Sequence, residues 1–143
     1  MRKGQISIDL LFAVTIISIT VMGIMSVALN EKVESETFGT AAQLRLLSID
    51  VRDTMARVYV AGPGMVAVKT SPLKLNDGEW INITAYQNGS LVVRAFIGGR
   101  EYTVVQRLQV SPGVTSSVML TKGNETFRIE AVKAGERVEV LLR

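Results

Sequence analysis

The first thirty residues of the chain contain one long apolar run. From Ile6 to Leu29 it consists of Ile, Val, Leu, Met, Phe and Ala, relieved by Ser, Thr and Gly, and Asp9 is its only charge. About 24 helical residues are enough to cross the hydrocarbon core of a bilayer. A secretory signal peptide has a shorter apolar core of about 7 to 15 residues and a small-residue cleavage site after it, and no such site follows Leu29. The pattern therefore predicts a membrane helix, and Arg2 and Lys3 place its amino end in the cytoplasm by the positive-inside rule.

A second helical pattern extends from Glu31 to about Tyr59. Its apolar positions recur at spacings of three and four: Leu44, Leu47, Val51, Met55 and Val58. This spacing predicts an amphipathic helix. It packs against the chain's own head domain or against neighbouring helices in a filament core, and both contacts can exist on different faces. Gly39 interrupts the pattern and predicts a local bend. The segment Gly62-Pro63-Gly64 predicts the end of the helix and a domain boundary, because proline cannot continue the hydrogen-bond ladder.

From Met65 onward the hydrophobic period changes from helical to alternating. The clearest alternating or β-branched runs are residues 80–86, 91–97, 101–105, 114–121, 127–132 and 137–142. Turn signals such as Gln87-Asn88-Gly89-Ser90 separate them, and about seven short strands with frequent turns predict an antiparallel sandwich. We therefore expect an α+β chain, in which a long N-terminal hydrophobic helix, or stalk, is followed by an all-β antiparallel sandwich-like head. The aromatic residues of these strands are expected to pack in the core: Trp80, Tyr86, Phe96 and Tyr102.

Composition and charge narrow the possible functions. The 143 residues carry 16 basic and 13 acidic side chains. Without Arg2 and Lys3 the basic count becomes 14, so the rest of the chain is nearly neutral and nucleic-acid binding is not expected. The chain has no cysteine and no histidine, which excludes disulfides, thiol nucleophiles and c-type haem, although metal sites built only from carboxylates stay possible. Because no phosphate-binding loop or nucleophile elbow is present either, we expect no enzyme activity, no catalytic or metal site and no cofactor.

Asp9 is out of place in an apolar run. An ionised carboxylate in hydrocarbon costs a few kcal/mol on insertion scales, and an intramembrane acid is a functional hypothesis by default. Two explanations are open. Asp9 lies near enough to the headgroups to remain hydrated, or a newly formed amino terminus on a neighbouring subunit neutralises it.

The segment Lys3-Gly4-Gln5-Ile6-Ser7-Ile8-Asp9, followed by an apolar helix, resembles the class III signal peptide of archaeal type IV pilin-like proteins. The resemblance covers about the first thirty residues, and Asp9 stands where that family usually has glutamate. It implies that a prepilin peptidase cuts between Gly4 and Gln5. Residues 1–4 would then be a leader, residues 5–61 the membrane and filament-core helix, and residues 65–143 an extracellular head.

The same resemblance implies a function. The chain would be a structural pilin subunit of an archaeal type IV pilus-like surface filament, used in cell adhesion and assembled as a helical homo-oligomer. Its implied partners are the prepilin peptidase, a pilus assembly ATPase and a membrane platform. The subunit would span the cell membrane once before assembly and then become part of the extracellular filament. The residues expected to form the assembly surface are Asp9, Leu10, Phe12, Ile16 and Ile17.

Three N-glycosylation sequons lie in the predicted head, beginning at Asn82, Asn88 and Asn124. Asn88 and Asn124 fall in predicted turns, from which a glycan can project. Asn82 lies within a predicted strand and is usable only if its side chain faces outward. We therefore expect Asn88 and Asn124 to be modified before Asn82.

Two other functions share parts of this pattern. The first is an uncleaved, signal-anchored surface glycoprotein whose β head binds a ligand or partner. It has the same topology, but a plain anchor has no need of the motif from Lys3 to Ser7. The second is a membrane-tethered enzyme, which the missing catalytic chemistry disfavours.

Overall fold

The computed structural model describes the backbone from Arg2 to Arg143 and the side chains of residues 8–32 and 34–143. One helix, α1 (Arg2–Ala61), precedes seven strands. The strands are β1 (Val66–Thr70), β2 (Trp80–Ala85), β3 (Ser90–Ile97), β4 (Arg100–Arg107), β5 (Ser116–Thr121), β6 (Thr126–Ala134) and β7 (Arg137–Leu142). The predicted α+β arrangement, a long apolar N-terminal helix followed by antiparallel sheets, is confirmed.

The strands form two antiparallel sheets. One has three strands in the order β1-β6-β7, and the other has four in the order β4-β3-β2-β5. Buried residues line up across the strands: Ile81 lies opposite Ala95 on β3 and opposite Leu120 on β5, and Ala131 lies opposite Val140. Because side chains alternate between the two faces of a strand, this register gives each sheet one buried face.

The buried faces share one hydrophobic core with the second half of α1. The apolar stripe predicted from the sequence is fully represented in it: Leu44, Leu47, Val51, Met55 and Val58 are at most 4% exposed. Ile81, Leu91, Phe127 and Ile129 are among the largest buried side chains that the strands contribute. The structure therefore shows the stripe packed against the chain's own head, residues 65–143, which is called the β domain.

Of the four aromatic residues expected to pack in the core, only one does so. Tyr102 packs against the core, but Trp80 and Phe96 are paired across β2 and β3 at positions that alternate with buried neighbours. They therefore lie on the outward face of the four-stranded sheet, and Tyr86 is 38% exposed. Register decides this outcome, because Ile81 and Ala95 occupy the inward positions next to them.

The chain separates into two compact units, residues 1–39 and residues 40–143. The second half of α1 thus belongs with the strands, because its stripe is buried among them. The sequence placed the head at residues 65–143 with a boundary at Gly62-Pro63-Gly64. The helix does end there, at Ala61, but the unit boundary follows Gly39, which lies inside α1 where the sequence suggested a bend.

The end of α1 is tied to the sheet by two glycines. The amide of Gly62 donates to the Val58 carbonyl at 3.2 Å, and its φ of +88° is the left-handed conformation that suits a helix cap. The amide of Gly64, with φ +93°, donates to the Ala131 carbonyl of β6 at 2.9 Å. These bonds fix the turn from the helix into β1.

Glu79 holds two turns of the β domain together. Its carboxylate accepts hydrogen bonds from the amide of Asn76 at 2.8 Å and from the amide of Gly98 at 2.8 Å, and the Asn76 side-chain amide adds another at 3.1 Å. These donors, the Asn76 amide first, lower the pKa of Glu79 although partial burial opposes them. The carboxylate is therefore charged at neutral pH and links the segment before β2 to the β3–β4 turn.

Leucine-to-alanine substitutions on the two faces of the second half of α1 should differ in their effect on stability. Leu44→Ala removes a side chain that is 0% exposed and should destabilise the β domain by about 3 kcal/mol. The matched control Leu46→Ala, at a residue 65% exposed, should stay within about 0.5 kcal/mol. Denaturant unfolding of the full chain in detergent micelles, followed by fluorescence of the single tryptophan, Trp80, measures both. Equal losses for the two variants would mean that the helix packs differently.

Candidate functional site

The amino-terminal half of α1 exposes its apolar side chains on every side. Each large apolar side chain from Ile8 to Leu29 is between 54% and 73% exposed. The most apolar window of the helix has a mean hydropathy of 2.4 and none of it is buried within the chain. By length and composition this helix is a candidate membrane span. All described side chains of residues 8–32 are therefore exposed.

Three hydroxyl groups inside this segment are satisfied within the helix. Thr15, Ser18 and Thr20 each donate to the backbone carbonyl four residues earlier, at 2.8 Å. A polar group without a partner is costly in an apolar environment, whereas these groups need no partner from outside. The segment is thus compatible with lipid or with a dry contact to another helix.

The five residues predicted for assembly are all on this exposed surface. Asp9 is exposed, and the other four have similar exposed fractions: Leu10 65%, Phe12 64%, Ile16 63% and Ile17 62%. Helical spacing of three and four residues places Asp9, Phe12 and Ile16 on one face, with Leu10 and Ile17 on the face beside it. The predicted cleavage residues, Gly4 and Gln5, lie outside the residues whose side chains the structure describes.

A shallow groove around Gly23 was not predicted from the sequence. Its lining residues are Thr20, Gly23, Ile24, Val27, Ala28 and Glu31. There is open space at Gly23, since a Cβ built there would meet nothing within 4 Å. Helical spacing places Gly23 on the same face as Asp9 and Ile16. A lone glycine in an apolar helix was the available signal, because such residues let another helix approach closely.

The sequons occupy three different settings in the β domain. Asn88 is exposed in the β2–β3 turn, and its Oδ1 accepts hydrogen bonds from the Ser90 amide at 3.0 Å and from the Ser90 hydroxyl. Asn124 is exposed in the β5–β6 turn, and its amide donates to the Thr121 carbonyl at 2.9 Å. Because β2 and β5 are antiparallel neighbours, these two turns lie at opposite ends of the four-stranded sheet.

The side chain of Asn82 faces outward, as modification of this sequon requires. It alternates with the buried residues Ile81 and Ile83 on β2, so its half-buried side chain faces outward. Its neighbours in register are Arg94 on β3 and Met119 on β5. Asn82 is therefore more crowded than the two turn residues, although it is on the accessible face of the sheet.

A polar groove runs along α1 next to the β4–β5 connection. Its lining residues are Arg52, Asp53, Ala56, Arg57, Val60, Ala61 and Gln109. Two of its charges are paired, with Arg52 Nε 2.8 Å from Asp53 Oδ1. Beside the groove, Asp50 Oδ1 lies 2.9 Å from Lys69 Nζ. The second pair joins the helix to β1. Among the residues that the structure describes, no group of three or more acidic side chains could hold a metal ion.

Comparison of the chain with family models, with curated proteins and with solved structures finds no match. The exposed helix and the motif that precedes it are therefore the features of the chain that bear on its function.

Proposed function

We propose that the chain is the structural subunit of an archaeal type IV pilus-like surface filament. It is stored as a single-pass membrane protein, cleaved between Gly4 and Gln5, and polymerised through the apolar half of α1. The observation that carries the proposal is the division of one helix into two parts. Residues 44–58 bury a stripe in the chain's own core, while residues 8–29 expose large apolar side chains all round.

The physical requirement on residues 8–29 changes when the subunit leaves the membrane. In lipid the apolar surface is already covered, so helix association there depends on packing and hydrogen bonds. In water each large apolar side chain costs about 1.5–3 kcal/mol relative to a buried one. A subunit drawn out of the bilayer therefore needs other copies to cover this segment. Parallel copies related by one repeated displacement, without closure, form an open filament.

The remaining parts of the proposal follow from the resemblance of the leader to archaeal pilins. A prepilin peptidase produces the mature amino terminus, and an assembly ATPase with its membrane platform drives extraction. The β domain, which has its own core, then lies on the outside of the filament and makes the adhesive contacts. Glycans on Asn88 and Asn124 project from its two ends.

A second candidate function keeps the membrane helix but not the filament. The chain would be an uncleaved, signal-anchored surface glycoprotein whose β domain binds a ligand. The observation in its favour is a small recess at the four-stranded sheet, where an outward-facing tryptophan lies beside charged residues. The lining residues are Trp80, Arg94, Ala95, Glu101, Tyr102 and Thr103. An anchor of this kind requires no processing at Gly4.

Removal of the Asp9 carboxylate separates processing from assembly. In Asp9→Ala we expect normal cleavage of the leader but at least a tenfold lower filament yield, because a charged contact within the filament core is lost. Immunoblots of cell fractions measure processing, and electron microscopy of sheared surface material measures yield. Asp77→Ala, at an 87% exposed carboxylate of the β domain, is the control and should assemble normally. Normal filament yield from Asp9→Ala would rule out the assembly role of Asp9.

The glycan positions can be mapped on the native protein. Mass spectrometry of peptides from surface filaments should find a glycan on Asn88 and on Asn124, because both side chains project from exposed turns. Asn82 should be modified less, since it is half-buried between strands. Asn88→Gln combined with Asn124→Gln should remove most of the glycan mass. Unmodified asparagine at both turn positions would end this part of the proposal.

A further inference from the structure

The charges of α1 point to a second partner for Asp9. Asp9 is the only acidic residue before Glu31, and Lys32 is the only basic residue between Gly4 and Arg45. Among the described side chains Asp9 forms no ion pair. Lys32 makes a long, exposed contact to Glu36, with 3.9 Å between Nζ and Oε1, and pairs of this kind stabilise a helix only weakly.

We propose that in the filament Asp9 of one copy pairs with Lys32 of a second, parallel copy. The second copy is displaced by 23 residues along the helix, or roughly 35 Å at 1.5 Å per residue. This inference rests on the proposed filament and adds to it the register between two helices. It is distinct from the contact with a neighbouring amino terminus that the leader motif implies, because it requires Lys32.

The same displacement matches small residues with large ones. It sets Ile16 of one copy against Gly39 of the other, and Gly23 against Leu46. Both glycines have open space where a Cβ would be, and both large side chains are more than 60% exposed. Glycine opposite a large apolar residue lets two helices approach closely. The groove around Gly23 would thereby receive the side chain of Leu46, which is 65% exposed on the outward face of α1.

The charges farther along the helix agree with this register. A displacement of 23 residues sets Glu34 of one copy against Arg57 of the other, which repeats the acid-to-base pairing. It also sets Val27 against Asp50, whose carboxylate is already held by Lys69 at 2.9 Å. On each copy the contacting positions follow spacings of seven and four, so they share one helix face.

Three nearby displacements fail on charge. Shifts of 22, 25 and 27 residues set Asp9 against Glu31, Glu34 and Glu36, which are like charges. The next basic residue is Arg45, which needs a shift of 36 residues, or roughly 54 Å. A displacement of 23 residues is therefore the shortest toward the carboxyl end that gives Asp9 a cation. A charge buried without its partner is strongly destabilising, so this contact selects the register.

Substitution of Lys32 distinguishes this pair from the amino-terminal contact. Lys32→Gln should reduce filament yield at least tenfold, as Asp9→Ala does, while Lys32→Arg should retain most of it. Lys74→Gln, at an exposed basic residue of the β domain, is the control and should leave yield unchanged. If the amino terminus alone neutralises Asp9, Lys32→Gln filaments form normally and the proposed pair is wrong.

The register itself can be read by disulfide cross-linking, because the natural chain has no cysteine. Intact filaments of the double variant Ile16→Cys, Gly39→Cys are oxidised and run on a non-reducing denaturing gel. Each copy then links to the next, so a ladder extending beyond the dimer is expected. The pair Thr20→Cys, Gln43→Cys has the same displacement and should give the same ladder, which guards against one variant failing to assemble. In the control, Ser18→Cys with Gly39→Cys, residue 18 is on the opposite face and the chain should stay monomeric.

The outcomes distinguish failure of the proposed register from failure of the proposed filament. Ladders from both matched pairs and not from the control support the register. Filaments that assemble but remain monomeric after oxidation overturn the register and leave the proposed function standing. If the unaltered chain makes no filaments, the proposed function fails and the register fails with it.

Discussion

An apolar helix has to be covered, and α1 is covered by its own chain over only part of its length. Residues 44–58 bury a stripe against two sheets, so this half is part of a folded domain. Residues 8–29 have no such cover. The proposed function rests on this contrast together with the leader motif, because lipid and other copies of the same helix are two environments that can cover such a surface. The hydroxyls bonded back to the helix at Thr15, Ser18 and Thr20 make the surface equally acceptable to both.

The β domain contacts one face of α1 and leaves the outward face of the helix exposed. The stripe uses one face of α1, and the outward face keeps Leu46 and Val60 in solvent. The helix is fixed at its end by the amides of Gly62 and Gly64, and along its side by Asp50 with Lys69 of β1. A second copy can therefore approach the outward face while the core stays intact.

Much of the fold could be predicted because its signals are local. The spacing of Leu44, Leu47, Val51, Met55 and Val58 predicted the buried stripe, and Gly62-Pro63-Gly64 predicted the helix end. The order of strands could not be predicted, because β5 pairs with β2 across a long connection and periodicity carries no information on partners. The boundary after Gly39 was missed for a related reason, since the pattern of a helix does not say how far a neighbouring domain covers it. The outward placement of Trp80 and Phe96 depended on register, which one residue of slip would have reversed.

For the candidate site, sequence alone identified the apolar run, Asp9 and the sequons, because each is a composition or motif signal. The groove at Gly23 and the exposure of every side chain from Ile8 to Leu29 needed the structure. The proposed role of Lys32 can be inferred only when two copies of the helix are compared, because a single chain contains no partner for Asp9 among its described side chains. An assembly surface is in this sense harder to read than a catalytic site, whose reacting groups are brought together within one fold.

The most direct test of the account is the amino-terminal sequence of the mature protein isolated from the surface of its native cells. The account predicts a start at Gln5, either free or cyclised to pyroglutamate, on protein recovered as filaments. A start at Met1 or Arg2 would contradict it, because the leader would then remain attached and the chain would be an anchored surface protein.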